Sequence, residues 1–144
     1  MSEVLADLRH LYVLLVEDDV EAVELTATVL QTCGATVKAV PGARQALKVV
    51  HQVTPQTVIT DIVLPEKDGC WLAEQLEVVG LAAVPVIALS AHRRIEYSHQ
   101  RRDRFRMWIR KPFDPITLSG AVRDGVASGV PRGGPGEVNN AQSI

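Results

Sequence analysis

The chain has 144 residues, 47% of them hydrophobic and 22% charged, with a formal net charge of −2, which suits one domain with its own core and favours neither a nucleic-acid nor a membrane surface as its overall partner. Its two cysteines, Cys33 and Cys70, make neither a disulfide framework nor a metal-ligand spacing and read as buried apolar thiols. No basic segment followed by an apolar run opens the chain, and no apolar stretch approaches the roughly 20 residues of a membrane span, so the reading is a soluble cytoplasmic domain without a membrane partner.

Residues 11–16 (LYVLLV) are an uninterrupted apolar block, as a strand buried on both faces requires. Residues 20–32 place Val23, Ala27 and Leu30 on one helical stripe, and Gly34 stands where a helix C-cap glycine belongs. Residues 36–40 alternate as a short strand, and 43–51 put Ala43, Ala46, Leu47 and Val50 on one helical face. Residues 57–60 read as strand. After a loop with Pro65, Asp68 and Gly69, a helix runs over about 70–79 with Leu72, Leu76 and Val79 in line. Residues 85–89 and 107–109 are strands, and Asp114 followed by Pro115 starts a last helix whose Leu118, Ala121 and Val122 face inward. Residues 92–104 occupy the place of a fourth helix, with only Ile95 and Tyr97 available to a core. Strand and helix thus alternate five times. This predicts an α/β fold: a doubly wound, five-stranded parallel sheet with five helices over residues 10–127. Residues 128–144 carry four glycines and two prolines without apolar periodicity and read as a tail or linker stub.

In such a sheet, ligands bind beyond the carboxyl ends of the strands. The first strand ends in Glu17-Asp18-Asp19, the third in Asp61, the fourth in Ser90 and the fifth near Lys111-Pro112. Carboxylates gathered there repel one another unless a cation lies between them, and hard oxygen ligands suit Mg2+. A carboxylate can attack a phosphoryl group, and a metal and an ammonium can neutralise the phosphoryl oxygens. Taken singly, Asp19 reads as a helix cap, Ser90 as a turn residue and Lys111 as a solvated charge. Their shared position at strand ends is what argues for chemistry.

The stretches LLVEDD (14–19), TDIVLPEKDG (60–69), PVIALSA (85–91) and KPFDP (111–115) resemble the receiver domains of two-component response regulators, of the chemotaxis-regulator type. The resemblance implies a flavodoxin-like sheet of order 2-1-3-4-5. It implies that Asp61 accepts a phosphoryl group from a histidine kinase or phosphotransfer protein, with Lys111 and Ser90 assisting. It implies Mg2+ held by Asp18, Asp61 and the backbone carbonyl of Val63, with Glu17 acting through water. Ser90 and Trp108 match the switch pair, Trp108 standing where Tyr or Phe is more usual, and the Lys111-Pro112 bond is implied to be cis. Pro65 and Gly69 match the loop that positions the phosphoacceptor. The signal is implied to leave through the face of the fourth helix, fifth strand and fifth helix, toward a downstream protein or a second copy of the domain. The implied activity is a switch and not an enzyme, with slow autodephosphorylation because Val63 offers no hydrogen bond to an attacking water.

Two features depart from the family pattern. Arg104-Phe105 replaces the usual small pair before the fifth strand, so that turn must be built differently. Seven arginines, Arg93, Arg94, Arg101, Arg102, Arg104, Arg106 and Arg110, face only Glu96 and Asp103 in this stretch. They read either as a solvated surface or as an interface for an acidic partner; aromatics are not interleaved with them as a nucleic-acid groove would need. Two other functions use the same residues. A phosphatase of the haloacid-dehalogenase type needs an acid two residues after its nucleophile, where this chain has Val63, and a cap domain for which there is no room. A scaffold that no longer uses phosphorylation would not need the full set of Glu17, Asp18, Asp61, Ser90 and Lys111.

Overall fold

The computed structural model describes residues 4–93, 97–98, 103–127 and 137–138. The elements run β1 (Tyr12–Val16), α1 (Val20–Thr32), β2 (Thr36–Val40), α2 (Ala43–Gln52), β3 (Thr57–Asp61), α3 (Gly69–Val78), β4 (Val86–Ser90), β5 (Met107–Arg110), α4 (Pro115–Ala127) and β6 (Glu137–Val138). All strand pairs are parallel, in the order β2-β1-β3-β4-β5-β6. The first five follow the expected order, which places the ends of β1 and β3 side by side at the centre.

Successive strand residues point to opposite faces, and the core divides accordingly. Leu14, Val16, Val58, Ala88 and Trp108 pack under α2 and α3. Val13, Leu15, Ile59, Ile87 and Ile109 pack under α1 and α4. Every residue of β4 is buried, which is why the central strands read as continuous apolar runs. Ahead of the expected start at residue 10, Ala6 and Leu8 join the second cluster. The Leu8 amide donates to the Cys33 carbonyl at 2.8 Å, and the Ala6 amide to Ser119 Oγ at 3.1 Å. Asp19, Asp68 and Asp114 accept from the first-turn amides of α1, α3 and α4, and Gly34 ends α1 at φ 103°.

Two expectations are corrected. Four helices, not five, occur among the described residues. Residues 92–93, 97–98 and 103–104 are not helical, and the remainder of the expected fourth helix, 94–96 and 99–102, lies outside the described residues. The described positions there offer only Tyr97 to the core, too little apolar surface to hold them in a helix. Second, the expected tail contributes a strand, β6, beside β5; residues 128–136 and 139–144 lie outside the described residues. No helix among the described residues is long and apolar enough to cross a membrane.

Candidate functional site

Ladder hydrogen bonds set the strand ends level with one another. The Glu17 amide donates to Val40 O at 3.1 Å, the Ile62 amide to Leu89 O at 3.1 Å and the Lys111 amide to Ser90 O at 2.8 Å. Glu17, Asp18, Asp61, Ser90 and Lys111 therefore meet at one edge of the sheet.

Lys111 Nζ lies 3.0 Å from Asp61 Oδ2 and 3.1 Å from Glu17 Oε1. Glu17 is almost fully buried, and its other oxygen accepts from the amides of Asp18 at 3.0 Å and Asp19 at 3.3 Å. Asp18 is exposed and Asp61 partly so. One carboxylate oxygen from each of Glu17, Asp18 and Asp61 lies within 4.8 Å of the others. Three carboxylates against one ammonium leave net negative charge, and such oxygen donors fit a hard divalent cation. Burial pulls Lys111 down, but Asp61 and Glu17 outweigh it and hold the ammonium above its ordinary value of 10.5.

That raised value fixes the sign of a pH dependence. The contribution of Lys111 to stability is complete below the unfolded-state value and is lost as pH rises through the folded-state one. The stability difference between wild type and Lys111→Met is expected to stay constant from neutral pH to about 10 and to shrink only beyond it. Urea unfolding of both proteins across that range checks this.

The loop after β3 is set by Gly69. A Cβ there would stand 2.4 Å from the Asp61 carbonyl oxygen and 3.2 Å from Ile62 Cα, while the Gly69 amide donates to Ile62 O at 2.8 Å. Only a residue without a side chain lets α3 start this close to Asp61. Gly69→Ala is expected to cost about 1–3 kcal/mol, as overpacking against immovable backbone does, and to slow any reaction at Asp61. Urea midpoints with the rate of modification measure both. Turn residues and the resemblance both assign Gly69 to this loop, and the contact gives the reason.

Ser90 is buried, and its Oγ accepts from the exposed His92 amide at 3.0 Å. His92 O in turn accepts from Trp108 Nε1 at 3.2 Å. Trp108 is buried between Tyr97, at a centroid distance of 5.1 Å, and Phe105, at 5.6 Å and edge-on. Arg104-Phe105 thus builds its turn by sending Phe105 inward. The Lys111-Pro112 bond is cis, as the resemblance implied, and Val63 is exposed beside the site.

The arginine surface needs correction at two positions. Arg104 turns back onto α3, donating to Glu77 Oε2 at 2.6 Å with Glu74 at 3.5 Å. Arg106 is buried, and its Nη1 donates to Gly125 O at 3.0 Å near the end of α4. Both are spent on holding helices. Arg93 is exposed and Arg110 half-buried; Arg94, Arg101 and Arg102 lie outside the described residues.

A family model for the response regulator receiver domain matches residues 13–123. A 14.6 kDa protein of Leptolyngbya boryana, itself uncharacterised, is 32% identical over 113 residues, covering 77% of this chain and 86% of that one. The uncharacterised transcriptional regulatory protein YbdJ of Bacillus subtilis is 34% identical over 106 residues, covering 74% of this chain; the chain spans only 46% of that relative's length. In structure, a sensor protein from Polaromonas sp. JS666 superposes with a TM-score of 0.77 at 24% identity, over 84% of this chain and 99% of that one.

Proposed function

The chain belongs to the response regulator receiver domain family of two-component systems, and from that premise we propose that it is a cytoplasmic phosphorylation switch with Asp61 as its phosphoacceptor. The observation that carries this reading is the Lys111 ammonium bridging Asp61 and Glu17 beside the exposed Asp18.

A histidine kinase or phosphotransfer protein would present a phosphohistidine. An Asp61 carboxylate oxygen attacks the phosphorus, the P–N bond breaks, and the imidazole leaves with a proton, so that an acyl phosphate forms on Asp61. Asp18, Asp61 and the Val63 carbonyl, with Glu17 through water, would hold Mg2+, which when bound supplies positive charge against the phosphoryl oxygens. Lys111 is placed to follow its partner Asp61 and to pair with one of those oxygens. The acyl phosphate adds negative charge at a site already rich in it. Ser90 answers by rotating its side chain so that the hydroxyl donates to a phosphoryl oxygen, which carries Oγ away from the His92 amide and so disturbs the Trp108 contact to His92. The change is a shift between two arrangements of residues 90–93 and the indole. It would be read by a downstream protein at the surface around β5.

The test is intact-mass measurement of the protein incubated with acetyl phosphate. One phosphoryl group is expected with Mg2+ and none when EDTA removes it; equal modification in both would contradict the metal's role. The Val63 side chain presents no donor or acceptor to orient a water at the phosphoryl group. The isolated phosphoprotein is therefore expected to persist for many minutes after the donor is removed, and a half-life of seconds would contradict this.

A further inference from the structure

The loop from β3 to α3 follows Asp61 and carries Val63, and its backbone is strained at one point. The Lys67 amide donates to the Pro65 carbonyl at 2.9 Å, across Glu66 at φ 66°. Such a bond around a residue of positive φ makes a γ-turn of the rarer, strained kind. Glutamate, unlike glycine, does not adopt that conformation readily. Strain of this sort persists only where the surroundings hold it.

The anchor beside the turn is Trp71, the third residue of α3. Its amide donates to Asp68 Oδ1 at 2.8 Å, and its half-buried ring packs against the core beneath α2 and α3. Two cations from different elements lie over this indole. Lys67 Nζ, from the turn itself, is 5.5 Å from the ring centroid, and Arg44 Cζ, from the first turn of α2, is 5.6 Å from it. Both are inside the reach of about 6 Å over which a ring attracts a cation, and Trp is the best such ring. Arg44 Nε also lies 3.7 Å from Glu66 Oε2, but with side chains 58% and 73% exposed that pair is weak by itself. The indole is what the turn and α2 share.

The base of the loop is closed separately. The Gly69 amide donates to Ile62 O at 2.8 Å, and the Leu64 side chain is buried. Val63 lies between this closed base and the turn, so its backbone is set from both sides. We propose that Trp71 is a positioning residue for the chemistry at Asp61: with Lys67 and Arg44 it clamps the strained turn and so fixes the Val63 carbonyl for a divalent cation. The proposal rests on the phosphoacceptor reading and extends it to side chains that act through the loop.

Trp71→Leu keeps apolar bulk without a π face, and Trp71→Phe keeps a weaker face. Hydrogen exchange of the Lys67 amide in EDTA is expected to quicken about fivefold in Trp71→Leu and about twofold in Trp71→Phe, with β1 and β4 unchanged as the control for folding. Mg2+ titration of the full chain, followed by NMR at the Leu64 amide, is expected to give dissociation constants raised by about the same factors. Lys67→Met supplies a test of sign. By charge alone, removing a cation near three carboxylates favours Mg2+. The clamp predicts weaker binding instead, and no further loss when Lys67→Met is added to Trp71→Leu.

Equal exchange and affinity in wild type and Trp71→Leu would overturn the proposal. So would a Trp71→Phe as impaired as Trp71→Leu, which would make the ring mere packing, and so would tighter Mg2+ binding by Lys67→Met. A wild type that takes up neither Mg2+ nor a phosphoryl group from acetyl phosphate would overturn the phosphoacceptor reading and the clamp together. A wild type that takes up both, beside a Trp71→Leu indistinguishable from it, would overturn the clamp alone.

Discussion

Asp61→Asn is expected to abolish modification by acetyl phosphate while leaving the domain folded. The substituted amide has the shape of the carboxylate but no anionic oxygen with which to attack phosphorus. It also removes one of the charged donors gathered with Glu17 and Asp18. Folding survives because the change has two opposed effects. It loses the 3.0 Å ion pair with Lys111, but it relieves repulsion among three neighbouring carboxylates, and Lys111 keeps Glu17 at 3.1 Å. The net change in stability is expected to be about 1 kcal/mol or less. Intact mass after incubation with Mg2+ and acetyl phosphate reads the first effect, and the urea midpoint in EDTA reads the second. Full modification of the variant would remove Asp61 from its proposed role.

Trp108→Ala is expected to destabilise the domain by about 3–5 kcal/mol, the usual cost of emptying a fully buried aromatic site. The indole is 1% exposed, lies between Tyr97 and Phe105 and joins the core beneath α2 and α3. Its loss also frees the His92 carbonyl, so residues 90–93 lose their tie to β5. Trp108→Phe keeps most of the apolar volume and removes only that tie. It is expected to cost much less in urea unfolding while altering how Ser90 and His92 respond to beryllofluoride with Mg2+, followed by NMR of the His92 amide. A phenylalanine variant as unstable as the alanine one would assign Trp108 to packing alone.

The periodic elements were legible because their signals are local. Helix 20–32 and strand 36–40 were read with the bounds that the structure gives, and the strand-end positions of Asp18, Asp61 and Lys111 followed from topology. The features that escaped depend on what lies across the fold. Nothing near Arg104 in sequence announces Glu77, and nothing near Arg106 announces the Gly125 carbonyl, so both read as surface charges. The burial of Glu17 and its bond to Lys111 are likewise set by residues far apart in the chain. The need for glycine at 69 is a contact with the Asp61 carbonyl, which only the assembled β3–α3 junction reveals. β6 has two residues and no period, so no pattern could have marked it.

The central claim is that Asp61, out of three clustered carboxylates, carries the phosphoryl group. Borohydride reduction of the protein after treatment with acetyl phosphate and Mg2+ converts an acyl phosphate to an alcohol, and peptide mass spectrometry then locates it. Reduction at position 61 alone, dependent on Mg2+, is the predicted result. No reduced residue at saturating Mg2+, or reduction at Glu17 or Asp18 in place of Asp61, would contradict it.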